Sequence, residues 1–408
     1  MKNLLRIAGA VAVGAIAITN VSAAEGNPFS ASLSLRGFYD DNIATTPNGI
    51  PGKQESYGFE AKPSVRYFLE QNELNLEVGY AYGIRYYENR SNSADHSHKF
   101  DLLVDYVFSP KFRAAFNEEF VVAQEAALLD PSVAAGGALL RANGNNIRNA
   151  AEILGRLQAS RLIAIEGAYK NTFIDNEDEG IGSRSSLLDR MEHLLRLDGE
   201  YQWTRETAFV VGGRFLYRDQ RSEDPLAPAG PLPSTRDSRS YFGYVGANHS
   251  FTSQLKGLVR FGAEFIEYPN ALPGVSDEVG PFAEASLSYE YAKDSTLTAG
   301  LRHQTTQTDV TAGTTSASAT TLFAVLDHEF TERINCGIRS SFRSSSFNNG
   351  VNDGSDDLFF NIGVNASYAL IIDRLSAEAA YIHDRLDSDL LGRSFSRNQV
   401  FIGLRATY

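Results

Sequence analysis

The stretch that decides the fold is ELNLEVGYAYGIRYY, Glu73 to Tyr87. Leu74, Leu76, Val78, Tyr80, Tyr82, Ile84 and Tyr86 alternate with Glu73, Asn75, Glu77, Gly79, Ala81, Gly83 and Arg85. A period of two puts every apolar side chain on one face, the pattern of a strand and not of a helix. The run is also longer than the roughly 9–11 residues with which a tilted strand crosses a bilayer. The same alternation returns in KFDLLVDYVF, LKGLVRFGAEFIEY, STLTAGLRHQ and DLFFNIGVNASYAL.

The joints between these segments are equally informative. Short connections such as EQNE (70–73), FSPKF (108–112), TRET (204–207) and AKDS (292–295) take turns with long polar ones. The long ones include NIATTPNGIPGKQ (42–54), SEDPLAPAGPLPSTRD (222–237) and NNGVNDGSD (348–356). Tight turns alternating with long loops predict an antiparallel transmembrane β-barrel in an outer membrane, turns on the periplasmic side and loops outside. Eighteen segments fit, from 32–42 to 396–408, an even number that puts both chain ends on the periplasmic side. A soluble sandwich or propeller needs neither such long strands nor such regular loop alternation. The last stretch, NQVFIGLRATY (Asn398 to Tyr408), is expected to pair with SLSLRGFY (Ser32 to Tyr39), because an open edge in lipid leaves backbone groups unpaired. Its terminal aromatic resembles the signal by which barrels are recognised for insertion, which makes the barrel-assembly machinery an expected partner.

Composition supports this reading. Tyr (19), Phe (25) and Gly (34) are abundant, whereas Met (2) and Trp (1) are scarce. Aromatic and Gly richness favours strands and turns. The net charge of −13 argues against nucleic acid as a partner. A single cysteine, Cys336, makes neither an internal disulfide nor a metal cluster. The N-terminus has Lys2 and Arg6, an apolar stretch from Ile7 to Ile18, then Ser22-Ala23-Ala24. It reads as a secretory signal peptide over residues 1–24, too short in its apolar part for the ~20 residues of a spanning helix. Residues 25–408 then form the barrel.

The apolar face should meet lipid and lipopolysaccharide, with strand-end aromatics such as Tyr57, Phe108, Trp203, Phe330 and Tyr408 at the interfaces. The other face carries the charge. Expected to line the lumen are Arg66, Arg85, Glu77, Arg190, Arg196, Arg214, Arg260, Glu264, Arg302, Arg339 and Arg405, with further carboxylates such as Glu60, Asp198 and Glu284. A charge facing lipid at mid-depth costs ~2–4 kcal/mol, so the lumen is the cheap place for it. Eighteen strands leave a lumen too wide for side chains alone to fill. The mixed signs suit a polar passenger; they equally suit cross-strand ion pairs that stiffen the wall.

One long connection, EAALLDPSVAAGGALLRANGNN (125–146), is partly apolar through Leu128, Leu129, Leu139 and Leu140. It either folds inward as a constriction or lies outside as a surface loop with a short helix. The acidic loops NEDEG (176–180) and NDGSDD (352–357) either hold divalent cations among lipopolysaccharide heads or are simply solvated, and they lack calcium-loop spacing. His96 and His98 in DHSH fall in a loop without further ligands nearby. No Ser/His/acid set, phosphate loop or dinucleotide fingerprint appears, so the sequence predicts no catalytic residues, no metal, no cofactor and no enzyme.

LSLRGFYDDNIATTP, Leu33 to Pro47, runs from an alternating strand into Asp40-Asp41-Asn42. It resembles the opening strand of the β-barrel porin 2 family, whose first strand leads into a D-N-I/L signature. The resemblance implies an outer-membrane barrel in a Gram-negative cell, often accompanying exopolysaccharide export. The expected function is therefore a polar conduit exporting exopolysaccharide or another polar polymer with periplasmic polysaccharide-export proteins. The alternatives are a diffusion porin for small polar solutes and a structural or adhesive barrel with a closed lumen.

Overall fold

Alternation of this kind cannot satisfy its own backbone; each strand needs two neighbours, and in lipid the last must find the first. The computed structural model describes residues 28–90, 93–123, 127–129, 140–142, 145–308 and 314–408. Its strands are β1 (Phe29–Asp40), β2 (Ser56–Glu70), β3 (Leu74–Tyr87), β4 (Ala94–Ser109), β5 (Phe112–Ala123), β6 (Ala127–Leu129), β7 (Leu140–Ala142), β8 (Asn146–Gln158), β9 (Ile163–Asn176), β10 (Arg190–Gln202), β11 (Thr207–Gln220), β12 (Ser238–Ser250), β13 (Leu255–Glu267), β14 (Glu278–Ala292), β15 (Ser295–Gln307), β16 (Ser316–Thr331), β17 (Ile334–Asn348), β18 (Asp356–Ile371), β19 (Leu375–Ser388) and β20 (Phe395–Thr407). All but β6 and β7 form one 18-stranded antiparallel sheet. It closes where β1 pairs with both β2 and β20, Leu35 opposite Ala61 on one side and Leu404 on the other. The backbones of Ala31 and Tyr408 exchange two 2.8 Å bonds, so the C-terminal residue belongs to the seam.

The periplasmic turns share a local device. Ser109, Ser160, Thr204, Thr252 and Thr331 each accept, through the side-chain oxygen, backbone N–H groups two and three residues ahead. A hydroxyl of this kind replaces the bond that a turning backbone loses. Asp294 and Asp373 take left-handed φ values of 52° and 61°, beside register shifts after Glu290 and Ala369. That is a short turn closed by a bulge, a conformation Asp tolerates.

The usual inside and outside are exchanged. Leu33, Leu35, Val211, Leu197 and Ile402 are exposed, as are the end aromatics Phe29, Tyr57, Phe108, Trp203, Phe330 and Tyr408. Ser34, Arg36, Asp40, Glu60, Asp198 and Arg397 are buried. Such a surface is stable only against hydrocarbon. Three apolar clusters do lie on the inner face: Phe38, Ile43, Tyr87 and Phe401; Phe359, Leu386 and Phe395; Leu216, Phe242, Tyr244 and Phe282.

Strand limits agree with the alternation except at the start of β1, at Phe29, and at the outer ends. There β4 begins at Ala94 and β16 at Ser316, further into the expected loops. The ladder simply continues above the apolar band wherever both neighbours remain extended. His96 and His98 therefore sit in a strand and not in a loop. The leader, residues 1–24, lies outside the described residues.

Candidate functional site: the inner wall

Cross-strand partners share a face, so the register fixes which charges meet. Arg36, Glu60, Arg85 and Asp95 follow one another across β1 to β4. The carboxylate of Glu60 is only 1% exposed and takes three cations. Arg36 Nε donates at 3.0 Å, Arg85 Nη2 at 2.5 Å, and Lys62 Nζ lies 3.1 Å away. The guanidinium carbons of Arg36 and Arg85 lie 5.0 and 5.6 Å from the centre of the Phe401 ring. The site works sterically because Gly403 faces Arg36: a Cβ there would lie 2.6 Å from Arg36 Cγ.

A second network runs across seven strands, β8 to β12 with β14 and β15. Arg156 bridges Glu200 (2.5 Å) and Glu166 (3.3 Å). Arg196 joins Glu166 (2.7 Å) to Asp198 (2.8 Å). The hydroxyl of Tyr244 donates to Asp198 at 2.5 Å, reaching from β12 to β10 over the intervening strand. Gly212 makes that possible, since a Cβ would meet the Tyr244 ring at 2.6 Å. Arg214 then lies 5.1 Å from the Tyr244 ring centre and 4.9 Å from that of Phe282, and donates to Glu284 at 2.9 Å. Arg302 reaches the same carboxylate at 3.2 Å.

Near the outer end, Glu192 accepts from Arg190 at 2.8 Å and Arg218 at 3.3 Å. Glu264, 1% exposed, accepts the backbone N–H of Thr305 at 3.0 Å. Near the periplasmic end Arg66–Glu77 at 2.6 Å and Arg339–Asp327 at 3.6 Å are wetter, whereas Arg405–Glu378 at 2.8 Å is only 12% and 13% exposed. Arg260 stands directly across from Glu284 in the ladder, yet makes no ion pair among the described residues. Several members were not singled out in advance, namely Arg36, Lys62, Arg156, Glu166 and Arg397. Arg36 was legible from SLSLRGFYD; the reach of Tyr244 over a glycine has no local sequence signal.

Exposure divides the wall in height. On the outer half the inward side chains are buried: Asp40, Glu60, Arg190, Gln220, Ser240, Arg343, Asp357 and Arg397. On the periplasmic half they meet water, with Arg66, Asp101, Arg113 and Asp327 at 25%, 31%, 34% and 48%. The inner wall is thus a wet, mixed-sign vestibule below and a packed polar layer above.

The Asp40-Asp41-Asn42 motif closes the seam at the outer end. Arg397 and Gln399 of β20 donate to Asp40, at 2.5 and 2.9 Å for the closest contacts. Asp41 accepts the backbone N–H and the side-chain amide of Asn398, both at 2.7 Å. Asn42 donates to Ser396 O and Thr46 O at 3.0 Å and accepts from Thr46 N at 2.8 Å. Burial alone raises the Asp41 pKa, but the Asn398 bonds and nearby Lys53 outweigh it and hold the carboxyl below its usual range. In the loop before β10, burial wins instead: Asp189 is raised despite bonds from Ser185 and Asn176.

The histidines sit on the outer face. His96 bonds Tyr82 at 2.6 Å, His98 bonds Tyr80 at 2.8 Å, and His193 bonds Tyr169 at 2.8 Å. No group of three or more metal-ligating side chains occurs among the described residues. In the acidic loops, Asp357 is held by Arg393 at 2.8 Å. Leu128, Leu129 and Leu140 lie in a separate two-stranded hairpin, with Leu128 opposite Arg141 and Leu129 opposite Leu140. Leu139 lies outside the described residues.

The family model described as "Putative beta-barrel porin 2" matches residues 29–408, and the chain belongs to that family. Solved structures similar to it include OccAB4 of Acinetobacter baumannii, at 11% identity and TM-score 0.48, covering 94% of this chain and 99% of that one. OpdK from Pseudomonas aeruginosa is 9% identical at TM-score 0.47, covering 93% and 99%. A BenF-like porin from Pseudomonas fluorescens Pf-5 is 11% identical at TM-score 0.48, with the same coverage. No curated protein matches. The protein is an outer-membrane β-barrel porin of a Gram-negative cell.

Proposed function

We propose that this porin is a passive diffusion channel for small polar solutes. The observation that carries the reading is the periplasmic half of the inner wall, where charged side chains of both signs stand in water, among them Arg66, Glu77, Asp101 and Asp327. Paired charges of both signs present hydrogen-bonding groups to a polar solute without the single-sign field that traps one ion. Export of exopolysaccharide, the leading expectation from the sequence, finds no support.

Planar-bilayer conductance tests the proposal, comparing the intact protein with a deletion of residues 126–143. The intact porin should conduct in discrete steps, and the deletion should enlarge them if the connection between β5 and β8 narrows the path. Absence of conductance in both forms would overturn the diffusion reading and favour a barrel with a closed lumen, for which the buried outer layer is the supporting feature.

A further inference from the structure

We propose that Arg214, Arg260 and Arg302 form an anion station on the inner wall, at which a small solute bearing a carboxylate or phosphate group is bound. It rests on the diffusion reading and names the solute class. Three guanidiniums converge on a single carboxylate, that of Glu284. Arg214 and Arg302 donate to its two oxygens at 2.9 and 3.2 Å, and Arg260 occupies the ladder position directly opposite. The carboxylates around it are committed elsewhere: Glu166 and Glu200 to Arg156 and Arg196, and Asp198 to Arg196 and Tyr244. Arg214 and Arg302 share the Glu284 carboxylate, and Arg260 faces it without an ion pair of its own among the described residues.

Donors are left over as well as charge. The Nε atoms of Arg214 and Arg260 are buried without a hydrogen-bond partner. Buried charged donors seldom remain unpaired, and the guanidinium fork matches the two oxygens of an oxyanion. Arg260 is the member without an ion pair among the described residues. It is half-buried, and its stem crosses Gly246, where a Cβ would lie 2.9 Å from Arg260 Cγ. Glu284 acts as the resident competitor: it holds Arg214 and Arg302 in place and leaves Arg260 without an ion pair among the described residues. A passing oxyanion takes Arg260 first, then shares Arg302.

Calorimetric titration of sodium citrate into the folded full-length barrel, at low ionic strength, tests the station. Citrate should bind the wild type saturably. Arg260→Gln should weaken binding about ten-fold, the loss of one charge-assisted bond. Glu284→Gln should tighten it by removing the competitor, an effect that a merely structural role for Glu284 would reverse. Arg385→Gln, on the outer face beside Asp387, should leave it unchanged. No binding to the wild type, equal binding to the Arg260 variant, or weaker binding to the Glu284 variant overturns the station. A barrel that shows the expected pattern but conducts no ions keeps the station and loses the diffusion reading. One that conducts without the pattern keeps diffusion and loses the station.

Discussion

Replacing Glu60 by Gln keeps the volume of the side chain and removes one charge. Arg36, Lys62 and Arg85 are then left on the inner wall without their shared carboxylate. Arg36 and Arg85 are 8% and 12% exposed, so water screens them poorly, whereas Lys62 at 37% turns toward the lumen. Breaking a buried pair by removing one partner costs ~3–5 kcal/mol, because the remaining charge stays desolvated. The expected loss is therefore about two to four decades in the unfolding equilibrium. Arg66→Ala removes one partner of a pair whose members are 25% and 32% exposed, and should cost ~0–1 kcal/mol. Urea unfolding in phospholipid vesicles, followed by the electrophoretic mobility of unheated samples, reads both. The double variant Glu60→Gln/Arg36→Gln should recover part of the loss, since one cation that paired with the carboxylate goes with it. If Glu60→Gln shifts stability by less than about 1 kcal/mol, water reaches Glu60, and the dry outer layer inferred from its burial is wrong.

Three further outcomes follow from the seam and the wall. Asn42→Ala removes the bonds to Thr46 and Ser396, and should loosen the outer end of the β1–β20 seam by ~1–2 kcal/mol, seen as faster hydrogen exchange at Asp41 and Asn398. Asp41 has a lowered pKa in the folded barrel, so its contribution is present above the ordinary carboxylate range and lost as pH falls through the lowered value. The stability difference between wild type and Asp41→Asn, measured by urea unfolding from pH 6 downward, should shrink in that acid window, and a constant difference would contradict it. Gly403→Val puts a branched side chain against Arg36, where even a Cβ would lie 2.7 Å from Arg36 Cα. It should cost at least ~1–3 kcal/mol and lower the yield of heat-modifiable, folded barrel in refolding assays.

The sequence by itself determined the wall. Eighteen alternating segments, short turns on one side and long loops on the other, fix the strand number and the antiparallel order. A period-two pattern also assigns every strand residue to one of two faces. Even the turns were local, as a Ser or Thr at each of five hairpins binds the backbone just ahead of it. What the sequence left open was height and reach. Alternation cannot say where along a strand the ladder ends, which is why His96 and His98 came out in β4 and not in a loop.

Nor can alternation pair charges, because partners lie on different strands at offsets set by the stagger of the closed barrel. Glu60 collects Arg36 and Arg85, 24 and 25 residues away, while Arg214 finds Glu284 at a distance of 70 residues. The Asp40-Asp41-Asn42 motif gained its meaning the same way: its partners Ser396 to Gln399 lie more than 350 residues further on, brought alongside only when β20 meets β1. Faces are a property of one strand, whereas pairing, burial and the gathering of Arg214, Arg260 and Arg302 about Glu284 belong to the closed barrel, and only the tertiary structure decided them.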